Sequence, residues 1–239
     1  MKARCFMLAS LSLVYTLQVG AMSLDRDWYY SVAYIANEST GAAGTGFFVF
    51  RPITNNMGRV FLVSNKHVLM PGPSTDSSNH TAQAVVTITT ETDGQLSLAS
   101  FRVTLREAPG ITNCLSHPLD VVDVAALDVT TQISEGGTLR KGYKVGYVME
   151  NRFSTKDTIT ETRITIGDPI TILGYPLNMV EGKSAIAVAR GGVIATPPER
   201  DYRGQRMFLI DCATIRGSSG SPVFVPLRPF KLIDKEGGG

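Results

Sequence analysis

Cysteine is scarce in this chain. It carries three. Cys5 lies in the N-terminal leader, which leaves Cys114 and Cys212 either to pair once or to stand as isolated buried thiols, and spacing alone does not choose between these. Histidine is equally rare. The three histidines lack metal-ligand spacing, so there is no zinc signature, and neither a metal nor a cofactor is expected. There is no dense Lys/Arg run and the net charge is +2, which argues against nucleic acid as a partner. The one extended apolar run, residues 5–19, is broken by Ser10, Ser12, Thr16 and Gln18. It is too short and too interrupted for a membrane span, and the mature chain is expected to have none. No internal repeat, low-complexity segment or long helix is legible outside the leader.

What is present is an ample apolar fraction, 43% of 239 residues. That suits a globular chain of one or two domains with a sizeable core. Residues 1–21 read as a secretory signal, with Lys2 and Arg4 at the start and Val19-Gly20-Ala21 before Met22. A leader of this kind implies a secreted or periplasmic protein. If translation starts at Met22 instead, the chain is cytoplasmic.

Short alternating runs follow, separated by turn residues. Strands are expected at residues 30–36, 44–50 and 59–64, the last two joined by a turn at Asn55-Asn56-Met57-Gly58. A further hairpin is expected from residues 84–90 and 96–105, turning at Asp93-Gly94. Residues 130–156 are polar and Gly-rich and read as linker and variable loops. Strands are expected again at 160–166, 169–173, 185–189, 193–196 and 223–225. Asn37-Glu38-Ser39 and Asn79-His80-Thr81 match glycosylation sequons, which arise often by chance. Many short strands with turn punctuation point to an all-β barrel fold.

The sequence Gly217-Ser218-Ser219-Gly220-Ser221-Pro222 lies between two apolar runs. Glycines beside a serine permit a sharp bend and an exposed hydroxyl. The same bend can aim consecutive N–H groups at one point, as an oxyanion site needs. A hydroxyl nucleophile needs a base, and the base needs an acceptor that fixes its tautomer. Histidine and aspartate candidates lie upstream, in Leu62-Val63-Ser64-Asn65-Lys66-His67-Val68 and Asp120-Val121-Val122-Asp123-Val124-Ala125-Ala126-Leu127-Asp128. The hydrolase elbow G-x-S-x-G is absent, because Ser221 occupies the second glycine position.

These segments, with Gly44-Thr45-Gly46-Phe47-Phe48-Val49, Ile172-Leu173-Gly174-Tyr175-Pro176 and Arg190-Gly191-Gly192-Val193-Ile194-Ala195, occur in one order over residues 30–225. In that order the chain resembles a chymotrypsin-fold serine peptidase, of the bacterial trypsin-like type related to the HtrA/Deg proteins. The resemblance implies two six-stranded-type antiparallel β-barrels. The first, residues 22–130, would carry His67 and Asp123. A linker over 131–159 would lead to a second barrel, 160–239, carrying Ser219. It also implies a serine endopeptidase with His67 as base, Asp123 as its orienting acid and Ser219 as nucleophile. The backbone N–H groups of Gly217 and Ser219 would form the oxyanion hole. Ser218 is the competing serine, while Asp120, Asp128 and His117 match no catalytic position.

The same resemblance implies a protein or peptide substrate, and a pocket base at Ala213, Thr214 and Ile215. No acid lies there to receive Lys or Arg, so small or medium apolar side chains are the expected preference. Ser218 replaces the aspartate that pairs with a new N-terminus in digestive relatives, so no such zymogen switch is expected. The chain ends soon after Ser219 with a polar tail, so an incomplete second barrel is expected. The alternative function is therefore a catalytically inactive trypsin-like fold acting as a protein-binding module or a truncated gene product.

Overall fold

The computed structural model describes residues 26–54, 57–71, 81–92, 94–108, 111–134, 137, 141–176, 187–213 and 215–226. The expected leader, the tail, Asn79 and Thr214 lie outside them. A short helix α1, Arg26–Tyr29, opens the described chain. The first sheet holds β1 (Val32–Asn37), β2 (Ala43–Thr54), β3 (Met57–Ser64), β4 (Ala82–Thr92), β5 (Gln95–Ala108), β6 (Ile111–Thr112), β7 (Cys114–Ser116), β8 (Ala125–Asp128) and β9 (Val148–Met149). Its order is β6-β5-β4-β1-β2-β3-β8-β7, with β9 pairing β2 in parallel and the other pairings antiparallel. β6 and β7 lie at opposite edges, yet only Asn113 separates them in the chain. One residue spans at most about 3.6 Å, so the sheet must roll until its edges nearly meet. The result is a near-closed barrel.

Alternation explains the interior. On β5, Ala99, Val103 and Leu105 are buried while Ser100 and Arg102 are exposed, as a period of two requires. Ile35, Phe48, Leu62, Val86, Ile88 and Leu127 join them in one buried cluster. Each fully buried side chain of this size stabilises the fold by about 1.5–3 kcal/mol. Cys114 is buried in that core. It is not bonded to Cys212, and both thiols are free. Burial pushes the Cys114 thiol up to about 11, so it stays protonated and unreactive at neutral pH.

The second sheet has four strands, ordered β12-β11-β10-β13: β10 is Pro169–Gly174, β11 Val188–Ile194, β12 Ile210–Cys212 and β13 Val223–Phe224. The fold is therefore mostly β and chymotrypsin-like, with one near-closed barrel and a second, four-stranded sheet among the described residues. The two parts meet at a cluster formed by Val32, Val148, Leu173, Tyr175, Ala187 and Phe224, with Trp28 and Phe47 against it. Trp28 stacks on Phe224 with ring centroids 4.4 Å apart. Tyr175 is fully buried there, and its hydroxyl lies 3.1 Å from Thr89 Oγ1.

Three stretches differ from their sequence expectations. Residues 156–161 form a helix, α4 (Lys156–Glu161), where a strand starting at 160 was expected. The β-branched Thr158, Ile159 and Thr160 favour a strand, but the Thr155 side chain accepts from the Thr158 N–H and caps a helical turn instead. Two strands were expected at 185–189 and 193–196; residues 185 and 186 lie outside the described residues, and Val188–Ile194 form one strand, β11, running unbroken through Gly191-Gly192. A Cβ at Gly192 would come within 2.6 Å of Cys212 Cβ, so this glycine admits close approach of β12 rather than ending the strand. The loop expected over 130–156 contains α3 (Thr130–Ile133) and β9, and contributes Ile133 and Val145 to the barrel core.

Candidate active site

His67 sits in the single turn α2, Lys66–Leu69, directly after β3. Val68 and Leu69 are fully buried in the barrel core, which leaves His67 on the opposite, exposed side. The end of this turn is pinned by Asn37. Its Nδ2 donates to the carbonyls of Val68 at 3.1 Å and Met70 at 3.0 Å. Its Oδ1 accepts from the N–H and hydroxyl of Ser39. Asn37 is buried with its amide fully engaged, so the sequon match there marks a structural asparagine.

Asp123 comes from the loop between β7 and β8. That loop is closed by Val122 N–H donating to Leu119 O at 3.1 Å and His117 N–H donating to Val124 O at 2.9 Å. Asn65 Nδ2 and Lys66 Nζ reach across to the carbonyls of Asp123 and Leu119. Asp123 Oδ2 lies 2.6 Å from His67 Nδ1, and Oδ1 accepts from the His67 backbone N–H at 3.2 Å. Partial burial alone would raise the Asp123 carboxyl. Hydrogen bonds from the His67 side chain and backbone, its charge, and the Lys66 N–H outweigh burial and hold the carboxyl below 3.8. An ionised carboxylate only accepts, so Nδ1 carries the proton and Nε2 is left free to take another. Both side chains are open to solvent, His67 at 55% and Asp123 at 47%.

The other candidates stand apart. Asp128 pairs with Arg59 at 3.2 Å and accepts from Thr130. Asp120 is exposed. His117 Nδ1 accepts the Leu119 N–H.

The Ser219 turn is built against the first barrel. Gly217 and Gly220 have φ of +92° and +81°, a region that glycine enters without strain. At Gly220 there is also no room, since a Cβ would come 2.1 Å from Thr45 O. Thr45, fully buried at the start of β2, makes three hydrogen bonds here, two of them to the turn. Its N–H donates to Ser219 O at 2.8 Å, its Oγ1 donates to Gly217 O at 2.9 Å, and that Oγ1 accepts the Tyr175 N–H at 2.9 Å. Its carbonyl accepts from Ser64 Oγ at 2.7 Å. Gly44 separates the two halves, because a Cβ there would meet both the Val68 side chain and Ser219 O.

Within the turn, Ser218 Oγ donates to Ile215 O at 2.6 Å. Among the described hydrogen bonds, neither Gly217 N–H nor Ser219 N–H has an acceptor, and none joins Ser219 Oγ to His67. Of the expected pocket base, Ala213 and Ile215 are exposed and Thr214 lies outside the described residues. Among the described residues there is no cluster of three or more metal-ligating side chains.

A family model described as a trypsin-like peptidase domain matches residues 44–226, a span that contains His67, Asp123 and Ser219. The chain belongs to the trypsin-like peptidase family. No curated protein matches it. Among solved structures it is similar to Deg5, at 17% identity and TM-score 0.48, covering 83% of this chain and 75% of that one. It is also similar to the HtrA-type protease AlgWS227A with decapeptide, at 15% identity and TM-score 0.40, covering 83% and 52%. Human heparin binding protein matches at 10% identity and TM-score 0.44, covering 85% and 78%. Family membership implies peptide substrates, and among the described residues no helix is long and apolar enough to cross a membrane.

Two residues of this trypsin-like peptidase family member, one just before the matched span, matter more than the sequence alone indicates. Thr45 was legible only as part of a Gly-Thr-Gly motif. Asn37 was legible only as a sequon, although an Asn followed by Ser and Thr is also the composition of a side-chain-bonded turn.

Proposed function

We propose that this chain is a serine endopeptidase. Ser219 Oγ attacks the scissile carbonyl while its proton passes to His67 Nε2. The C–N bond then breaks, and His67 delivers that proton to the leaving amine. Water, deprotonated by His67, hydrolyses the acyl-enzyme and restores Ser219. Asp123 holds the tautomer and stabilises the imidazolium. The N–H groups of Gly217 and Ser219 receive the oxyanion, each donor lowering the barrier by roughly 3 kcal/mol.

The observation that carries this reading is the 2.6 Å contact between His67 Nδ1 and Asp123 Oδ2, beside a turn whose neighbouring serine hydroxyl is tied to Ile215 O. Ser219 is thereby favoured over Ser218 as nucleophile. The open Ser219–His67 gap is compatible with an unliganded site, since such contacts often tighten only with substrate.

That same gap also favours a second reading, a binding module that does not turn over. Fluorophosphonate labelling of the full chain decides between them. Labelling that is lost in Ser219→Ala and His67→Ala supports the peptidase. Absence of labelling in folded wild-type protein overturns it and leaves the binding module. Peptide hydrolysis is expected to fall about 10⁴-fold or more in either variant. Export through the residue 1–21 leader belongs to the same proposal, and N-terminal sequencing of protein from the medium or periplasm tests it.

A further inference from the structure

Arg190 is the most anomalous side chain near the site. It lies on β11 opposite Ile172 of β10. Strand alternation puts it on the same face as Gly192 and Ile194, the face on which Ile170, Ile172 and Ile194 are buried together. A guanidinium on an apolar inner face needs acceptors for all its donors. Arg190 Nη1 has one, donating to Ala213 O at 3.0 Å. Nε and Nη2 are buried and have no hydrogen-bond partner. No ion pair to Arg190 is present among the described residues.

Which nitrogens are free is informative. Nε–H and one Nη2–H lie side by side along one edge of the guanidinium plane. They form the fork that receives both oxygens of a carboxylate. The other edge is fixed by Ala213, so the fork is held in place. Ala213 is the residue from which the turn to Ser219 departs, and it is part of the pocket base expected from the sequence. Through Ala213 the guanidinium is tied to the start of the stretch expected to receive the side chain preceding the scissile bond.

Resting on the peptidase reading, we infer that Arg190 is a specificity-determining residue and that the pocket takes substrates with an acidic residue, Glu or Asp, on the acyl side of the scissile bond. This differs from the apolar preference expected from the sequence, which weighed only residues 213–215. Basic side chains are excluded in both cases, here by direct repulsion. The free edge is closed to solvent in this structure, so the acidic side chain enters by displacing what covers it and supplies the missing acceptors.

The test does not require turnover. Full-length Ser219→Ala protein is titrated with two hexapeptides identical except for Glu or Gln at the third position. Glu and Gln match in size and differ in charge. The Glu peptide is expected to bind about tenfold or more tightly. That ratio should fall to about one in Ser219→Ala/Arg190→Met, and be partly kept in Ser219→Ala/Arg190→Lys, which keeps charge but not the fork. Equal affinity for the two peptides, no binding of either, or a Glu preference that survives Arg190→Met overturns the inference. If the Met variant does not fold, the Glu-to-Gln ratios in Ser219→Ala and Ser219→Ala/Arg190→Lys decide. Failure of the peptidase reading is seen separately, as absent fluorophosphonate labelling of wild-type protein.

Discussion

His67 and Asp123 stand on a rolled sheet whose described interior gathers twenty buried side chains into one cluster. Ser219 lies between β12 and β13 of a sheet of four strands whose own buried cluster is Ile170, Ile172 and Ile194. The first region seats the His67 turn on the packed side chains of Val68 and Leu69 and ties the exposed Asp123 loop to that turn by hydrogen bonds. In the second region the Ser219 turn is fixed by hydrogen bonds from Thr45 of the first. The site is thus a single construction of the first barrel. The second sheet contributes a turn, which the barrel then holds.

Core truncation separates the two regions most strongly. Leu62→Ala removes a fully buried side chain from the large cluster and is expected to destabilise the whole protein by about 3–5 kcal/mol. Ile172→Ala is expected to cost about 2–3 kcal/mol, with early amide exchange confined to β10–β13. Hydrogen exchange read by mass spectrometry checks this. Equal loss of protection in both sheets under Ile172→Ala would show one cooperative unit rather than two.

The Thr45 contacts provide a sharper test. Thr45→Val keeps the shape but strands Gly217 O and Tyr175 N–H, at about 1–3 kcal/mol. Its larger effect should be on Ser219, with fluorophosphonate labelling slowed about tenfold or more beyond what the stability loss explains, and restored by Thr45→Ser. Unchanged labelling would mean that the second sheet holds the turn itself. Asn37→Leu leaves the Val68 and Met70 carbonyls unpaired and should lower stability by about 1–2 kcal/mol. It should slow labelling less than Thr45→Val, since His67 keeps its packing through Val68. Denaturant titration alongside labelling checks both effects.

The smallest expected effect is on pH dependence. The folded-state carboxyl of Asp123 lies below 3.8. Its pairing therefore contributes stability that is complete above that value and is lost as pH falls through the lower folded-state value. Nearly half the side chain is exposed, so solvent screens the pair and the contribution is small. The stability gap between wild type and Asp123→Asn should be present at about pH 5 and narrower at about pH 3. Urea melts at the two values measure it. A gap that widens toward acid contradicts the assignment of the ionised partner.

Much of the barrel was legible because its strands alternate. The period along 99–105 and the Gly94 turn carry the β4–β5 hairpin in the sequence itself. The motif around His67 and the Asp123-Val-Ala run were legible for a similar reason, since each lies within one short stretch. Thr45 was not. Its partners, Gly217 and Ser219, lie far along the chain, and a hydroxyl buried at a strand start has no local signature. The helix at 156–161 was hidden by β-branched residues, whose preference one capping threonine reversed. Arg190 read as one residue of a motif beside two glycines. Its meaning depends on which face of β11 turns inward, and that is settled only once β10 and β12 are paired to it.

Trp28 is the sole tryptophan of the chain, and it rests on Phe224, a short way past Ser219 on β13. The molecule therefore contains a built-in optical reporter. Indole emission depends on the polarity and contacts around the ring, so any event that moves β13 against the first barrel changes colour or intensity without an added dye. Ligand arrival at the Ser219 turn, loosening of the second sheet and full unfolding each disturb that stack to a different extent. A single cuvette can follow all three.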